Sequence, residues 1–523
     1  MMSKVTRVIV ALLTLSVAVS FAGGGPVEDE KAEPKTKKKA AEKSVEKPAA
    51  KKTAKAEKTA DKAVAKAAPA AKSECAMAVR YGGDIRIREV RFDDIPIKAD
   101  PPGVTRGGEN HFFRFRTRLW GELDPMQNVT LRVRAVNEFR AWDKPDASPA
   151  LQRSNYDFPD EIVFDALSLQ VKNLLDDRLD VTIGRQDMIY GTGKLILEGT
   201  PKDGSRTIYF NAIKATYRAS PETMVDVFGI HNPSIDQLAI NSADRDLTGF
   251  TSANDDMTEK GAGIYIKNKS CRDMPLEAYL IYKREGQWNQ AARRDAEGTL
   301  LPPANDWQTL DASRGVVENP ALNLGTVGTR LMPILAERLK GNIELAYQVG
   351  ERADSDVRGY MIDASLSYDA PILTEMKPVV TYGIYYLSGD DPSTKDKDEG
   401  WNPLWARYPQ YSELYVYSWD AEAAGRWSNV MMPNLGVALK PLSWLKTSAM
   451  VAYLRANEKD GPGGGAERGW LGVIKGEFDI RQKILTSKDK LSAHLWLEVL
   501  EPGDYYNVND TAYFARWQLM YEF

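Results

Sequence analysis

The chain has 523 residues, 43% hydrophobic and 27% charged, with a formal net charge of -4 and a mean hydropathy of -0.42. That balance argues against a helical membrane bundle, and beyond the N-terminus no apolar run approaches the roughly 18 residues of a spanning helix. Two cysteines, Cys75 and Cys271, and three histidines, His111, His231 and His494, exclude a disulfide framework and a four-ligand zinc site. No cofactor is implied, and near-neutral charge gives no pull toward nucleic acid.

Lys4 and Arg7 precede an apolar run over Val8–Val19 and then Ser20-Phe21-Ala22. A charged start, a short apolar stretch and small residues are the pattern of a cleaved export signal, here residues 1–22. Residues 23–76 are a different material: the stretch 26–74 holds 14 lysines against nine acids and almost no large apolar side chain. Such a segment cannot bury enough apolar area to offset chain entropy, so a disordered periplasmic tail is expected. Its positive charge makes peptidoglycan a candidate partner, and the leftover negative charge falls on 77–523.

From Tyr81 onward, short alternating segments follow one another. Ile85 and Ile87 alternate with Arg86 and Arg88. The clearest pattern is His111–Gly121, where Phe113, Phe115, Thr117 and Leu119 alternate with Arg114, Arg116 and Arg118. A strand sends alternate side chains to opposite faces, so one face is apolar and the other carries three arginines. Val129, Leu131 and Val133 then alternate with Thr130, Arg132 and Arg134. Further alternating segments lie near 167–172, 181–186, 213–218, 225–227, 264–266 and 276–282, and then near 322–331, 342–350, 357–368, 377–388, 434–440, 445–455, 469–479, 489–500 and 511–523. These predict about 18 strands. Segment 377–388, with Tyr382, Tyr385 and Tyr386, is apolar on both faces, so its facing is open.

The connectors alternate long and short. Long ones fall at 92–110, 141–161, 186–205, 231–259, 285–320 and 389–432; short ones include 123–127, 173–177, 219–222 and 441–443. Transmembrane barrels have short periplasmic turns and long outer loops, with aromatic girdles at both interfaces, and 23 tyrosines and 12 tryptophans are available for those girdles. The last segment alternates Tyr513, Ala515, Trp517, Leu519, Tyr521 and Phe523, which resembles the signal read by the outer-membrane barrel assembly machinery. The expected fold is therefore all-β: a transmembrane antiparallel up-and-down barrel with outer-membrane lipid around it.

Closing about 18 strands leaves a lumen wide enough for water. The candidate pore-lining residues are then Arg86, Arg88, Arg114, Arg116, Arg118, Arg132 and Arg134 on three adjacent strands. Guanidinium groups hold carboxylates and phosphates through paired hydrogen bonds. Asp84, Glu122 and Glu138 are placed to pair with some of them. Loops 231–259, 285–320 and 389–432 are long enough to fold inward as plugs. A second candidate site is Gly184–Glu198, where Gly191 and Gly193 allow tight turns but no helix pattern follows to make a phosphate loop.

The segments FRFRTRLWGEL, GRQDMIYGTGKL, SRTIYFNAIKATY and YYLSGDD, in that order, resemble the alginate-export (AlgE-like) family of outer-membrane porins over Tyr81–Phe523. The resemblance implies a monomeric 18-stranded barrel with an electropositive constriction for a polyanionic uronate polymer. It points to Arg114, Arg116, Arg185 and Arg206 as pore lining, with Lys194 standing where arginine is expected and Asn211 where aspartate is expected. The expected function is a channel passing anionic solutes or an anionic polysaccharide, without enzymatic activity. Two other classes compete. A barrel hydrolase would need a nucleophile beside His111 or His231, and none is evident. An envelope tether would act through the cationic tail.

Overall fold

The computed structural model describes residues 77–95, 110–144, 158, 162–197, 209–241, 258–291, 299–300, 308–394, 396–406, 411–414, 428–459, 461, 463–507 and 509–523. The expected export signal and tail, Cys75 and Arg206 lie outside them.

Eighteen antiparallel strands form a closed barrel. They are β1 (Ala78–Asp93), β2 (Asn110–Met126), β3 (Val129–Lys144), β4 (Ile162–Asn173), β5 (Leu179–Gln186), β6 (Phe210–Arg218), β7 (Thr223–Asn232), β8 (Glu259–Asn268) and β9 (Leu276–Glu285). The second half is β10 (Leu322–Leu331), β11 (Leu339–Arg352), β12 (Ser355–Asp369), β13 (Val379–Leu387), β14 (Val430–Leu442), β15 (Leu445–Arg455), β16 (Glu467–Gln482), β17 (Lys490–Pro502) and β18 (Ala512–Glu522). Each pairs with its sequence neighbour, and β1 pairs with β18 from Asp84↔Glu522 to Asp93↔Tyr513. Backbone bonds of 3.0 Å in both directions between Gly83 and Phe523 finish the seam. Every predicted segment coincides with one of these strands.

Period-two alternation decides the facing. Ile85, Leu119, Val133, Ile183, Ile213, Val227, Leu280, Val327, Leu345, Leu435 and Leu519 are exposed although apolar. A soluble protein does not carry so continuous an apolar surface, whereas lipid requires one. Tyr81, Tyr217, Tyr368, Trp444 and Phe523 lie near the short-turn end of this belt, and Tyr282, Tyr360, Tyr386, Trp470 and Tyr513 near the other. No helix among the described residues is long and apolar enough to cross a membrane. The strands supply the crossing.

The short connectors, such as 127–128, 219–222 and 443–444, all fall at the end where β1 begins and β18 finishes. The opposite end carries the long ones, with one exception: β11 and β12 are joined there by Ala353 and Asp354 alone.

The lumen departs from the expected water-filled pore. Two segments from the long-loop end fold into it. Residues 187–197 cross between the walls, burying Met188, Tyr190, Leu195 and Ile196. Residues 401–406 meet them as a short parallel pair, Trp405↔Ile196 and Ala406↔Leu197. Of the three loops expected to be long enough for a plug, 389–432 supplies 401–406 and 411–414. Loop 231–259 sends Asp236 inward and pairs 239–241 with β4, while the described parts of 285–320 form a separate three-stranded sheet. The segment 187–197 fills the centre because its apolar side chains cannot rest in water. This also settles β13: Tyr385 and Leu387 are buried facing the plug, whereas Tyr382 and Tyr386 face outward. Several tryptophans serve the lumen rather than the girdles: Trp401, Trp405 and Trp496 are buried.

Candidate functional site: the lumenal arginine wall

On β1, β2 and β3 the even-numbered side chains turn inward. The antiparallel register sets Arg86 opposite Arg116 and Arg88 opposite Arg114. Like charges directly across a strand pair repel, and burying a guanidinium group adds a further cost unless it is paired and hydrogen-bonded. Carboxylates within the same rows offset this. Asp84 takes Arg116 at 2.9 Å and Arg118 at 2.6 Å. Glu138 on β3 takes Arg86 at 2.9 Å and Arg114 at 2.6 Å. Arg88 reaches across the seam and donates from Nε to the Gln518 amide oxygen at 3.0 Å. Arg86, Arg88 and Arg116 are at most 1% exposed. Among the described residues, five guanidinium groups converge on two carboxylates and one amide.

The remaining candidates lie apart from this cluster. Arg132 faces the lumen near the short-turn end, 3.7 Å from Glu122 and well exposed. Thus Asp84, Glu122 and Glu138 do pair with the arginines. Arg134 is buried between Asp165 (2.6 Å) and Asp187, whose two oxygens accept from its Nη1 and Nη2 at 2.8 and 2.9 Å. Asp187 opens the crossing segment, so this pair anchors its near end to the wall.

Arg185 follows Gly184, whose φ of +111° and close approach to the Leu167 carbonyl leave no room for a side chain. The Arg185 guanidinium donates to Asp236 at 2.8 and 3.2 Å, to the Asn211 side-chain oxygen at 2.9 Å and to the Phe164 carbonyl at 2.8 Å. It also lies 4.1 Å from the Tyr209 ring centroid, and the Tyr209 hydroxyl donates to Asp236. Asn211 therefore still accepts from Arg185, as an aspartate would, and the carboxylate is supplied from loop residue Asp236.

Lys194 lies far from Arg185's partners in sequence. Gly191 and Gly193 take left-handed φ of +58° and +79°, turning the segment tightly. Lys194 is carried across the lumen to Asp363 on β12 at 3.6 Å. Its ammonium group sits 4.1 Å from the Tyr385 ring and 4.0 Å from the Tyr411 ring. Both rings attract the cation through their π faces. Arg86, Arg88, Arg114, Arg116 and Arg118 thus form one wall. Arg134 and Arg185 brace the long-loop side, Lys194 bridges the lumen, and Arg132 stands apart.

Several lumenal charges escaped the sequence reading. Lys283 is buried between Glu259 at 3.1 Å and Glu285 at 2.8 Å, and donates to the Leu404 carbonyl of the plug at 2.7 Å. Arg352 lies 3.9 Å from Glu285 and 3.7 Å from Asp398. Arg352 is a single cation on its stretch of strand, and Lys283 is followed by the outward-facing Arg284, so neither belongs to an inward run. The signal was its phase: Lys283 alternates with outward Leu280 and Tyr282. Among the described residues no cluster of histidine, cysteine and acids could hold a metal. His111 lies between Glu89 and Asp143, each 2.8 Å from one ring nitrogen, and Cys271 sits exposed and unpaired at the short-turn end.

Known families can now be compared with this geometry. A family profile described as Alginate export matches residues 79–516. The chain belongs to the alginate export family. The present chain is an outer-membrane porin-like β-barrel of that family. Among solved structures, the outer-membrane protein OpdK of Pseudomonas aeruginosa superimposes with a TM-score of 0.51 at 13% identity, covering 85% of this chain and 99% of OpdK. A BenF-like porin from Pseudomonas fluorescens Pf-5 gives 0.51 at 11% identity, with 84% and 98% covered. At such identities the likeness concerns the fold. Curated proteins gave no match.

Proposed function

We propose that this alginate-export-family barrel is a non-enzymatic channel for anionic solutes, with carboxylated saccharides the favoured class. One observation carries the reading: Arg86, Arg88, Arg114, Arg116 and Arg118 converge on a single lumenal wall. A row of fixed cations behind low-dielectric protein attracts anions, and many modest sites in sequence allow them to leave again. The acids interleaved with the arginines keep the wall foldable, and the buried guanidinium groups act on a passing anion through their field. The short-turn end faces the periplasm, as in outer-membrane barrels generally, and the plug stands between that end and the long loops.

Reversal potentials under a salt gradient in planar bilayers test the reading. Anion preference is expected, and cation preference overturns it. A hydrolytic reading has less support, because both nitrogens of His111 are engaged by carboxylates. The Lys/Ala-rich tail leaves room for contact with peptidoglycan beside the channel activity, and a monomer suffices because the barrel closes on itself.

A further inference from the structure

One group of basic side chains lies on the outer face of the barrel, where the lumen does not explain it. On β7, β8 and β9 the register sets His231 opposite Lys260 and Lys260 opposite Arg284. All three are exposed and share a face with the lipid-facing Val227, Ile264 and Leu280. Arg284 stands two residues beyond Tyr282 of the outer girdle, about 7 Å further toward the long loops, so the row lies at the level where outer-leaflet headgroups begin. Like charges facing each other across a strand pair are destabilising. Elsewhere on this rim the chain supplies acids: Arg91 meets Asp93 at 2.9 Å and Arg358 meets Asp356 at 2.9 Å. Among the described residues Lys260 and Arg284 take part in no ion pair. Glu259 and Glu285 are buried with Lys283 on the opposite face, and the outward Glu351 accepts from Asn323.

The surface directly beneath the row is also shaped. On the same face, the next cross-strand row toward mid-membrane reads Ile213, Gly229, Ala262, Tyr282. Two small residues thus lie between two large ones, Ile213 at 50% and Tyr282 at 45% exposure. A Cβ on Gly229 would meet nothing closer than Ile213 Cγ2 at 3.6 Å, so packing does not demand a glycine there. The pair leaves a groove two strands wide below Lys260, opening onto Val227 and Ile264.

We propose that this row and groove bind a phosphate-bearing lipid of the outer leaflet. Arg284 gives paired hydrogen bonds to phosphate oxygens, Lys260 adds a point charge, and the His231 ring flanks them. An acyl chain fills the gap over Gly229 and Ala262 and covers their apolar surface. A free anion has no use for the groove, and a neutral lipid none for the cations, so the match is one molecule carrying both. The bound phosphate offsets the repulsion between Lys260 and Arg284 that the chain leaves uncompensated. The site faces away from the lumen and is independent of what the channel passes.

Native mass spectrometry of the purified full chain, released from detergent, tests the site with diphosphoryl lipid A, its dephosphorylated counterpart and inorganic phosphate. Lipid A is expected to form a one-to-one adduct at least about tenfold tighter than the dephosphorylated lipid, and phosphate alone to form none at the same concentration. Lys260→Gln with Arg284→Gln should weaken lipid A about tenfold. Ala262→Leu keeps the charges, fills the groove and should weaken it about threefold. Arg358→Gln removes a rim cation that already has an acid partner and should leave the affinity unchanged. Heat-modifiable mobility on gels confirms that each variant is folded, and if the double variant is not, Ala262→Leu decides alone. Equal binding of the dephosphorylated lipid, binding of phosphate as tight as that of lipid A, unchanged affinity in a folded groove or double variant, an equal loss in Arg358→Gln, or no adduct with the native chain overturns the site.

Discussion

Lys194 and Asp363 meet at 3.6 Å across the lumen, although one belongs to the segment after β5 and the other to β12. The pair fixes the far end of the crossing segment as Arg134–Asp187 fixes its near end. Replacing Lys194 by alanine leaves Asp363 buried without its cation and frees the far end. A buried pair broken on one side costs about 3–5 kcal/mol, enough to shift the segment away from its closed position. Single-channel recordings of Lys194→Ala should show a larger mean conductance than the native chain with the same reversal potential.

Glu498 performs a similar task for the other inward segment. Its carboxylate accepts from the Ser412 hydroxyl and from the backbone N–H groups of Glu413 at 2.9 Å and Leu414 at 3.1 Å. Bonds to a charged acceptor are worth about 1.5–3 kcal/mol each. Glu498→Ala should loosen 411–414, and protease nicking near these residues in the folded protein should rise clearly. Unchanged nicking would show that the segment is held elsewhere.

The arginine wall predicts selectivity. Arg114→Gln with Arg116→Gln removes two of the converging cations and leaves Asp84 and Glu138 to Arg86 and Arg118. Anion preference should fall, seen as a reversal potential moved toward zero, with the barrel still folded. Glu138→Gln acts in the opposite sense. It leaves buried guanidinium groups repelling one another, so the urea midpoint should drop by an amount equivalent to about 3–5 kcal/mol.

Asp489 gives a pH dependence at the short-turn end. Burial would raise its carboxyl, but the backbone N–H groups of Leu485 and Thr486, with the Tyr521 hydroxyl and the Ile484 N–H, hold it down at about 2. A depressed carboxylate stabilises the fold above its unfolded value and loses that stabilisation as pH falls toward the folded value. The native chain should therefore lose more stability between about pH 4 and pH 2 than Asp489→Ala does, measured as the difference in unfolding midpoint.

The lipid-facing belt is testable in the same assays. Leu345 lies midway along β11 and points outward. Leu345→Arg should cost about 2–4 kcal/mol in lipid vesicles, the amount expected for an arginine at mid-bilayer.

The wall was readable from sequence because a strand's period of two is local: Phe113 and Arg114 report their opposite faces without knowledge of any other strand. The acids were readable for the same reason, since Asp84 and Glu138 share the phase of the arginines they meet. The plug was not. That Ile196 pairs with Trp405, or that Lys194 reaches Asp363, depends on how two long loops turn inward, and no periodicity encodes that path. A clue was present in the apolar run Met188–Tyr190 and Leu195–Leu197, out of place in an outer loop. The grouping of Lys475, Trp496 and Arg516 also escaped notice because they lie on three different strands and become neighbours only once β16, β17 and β18 are in register.

The parallel pairing of Ile196 with Trp405 joins the two inward segments, and the Trp405 N–H donates to the Leu195 carbonyl at 2.9 Å. Withdrawal of either one strips that carbonyl and that N–H of their partners, so the two are expected to depart or stay together. Current through this barrel should therefore switch between two discrete levels, with dwell times set by the slower loop, rather than drift through a continuum of partial openings.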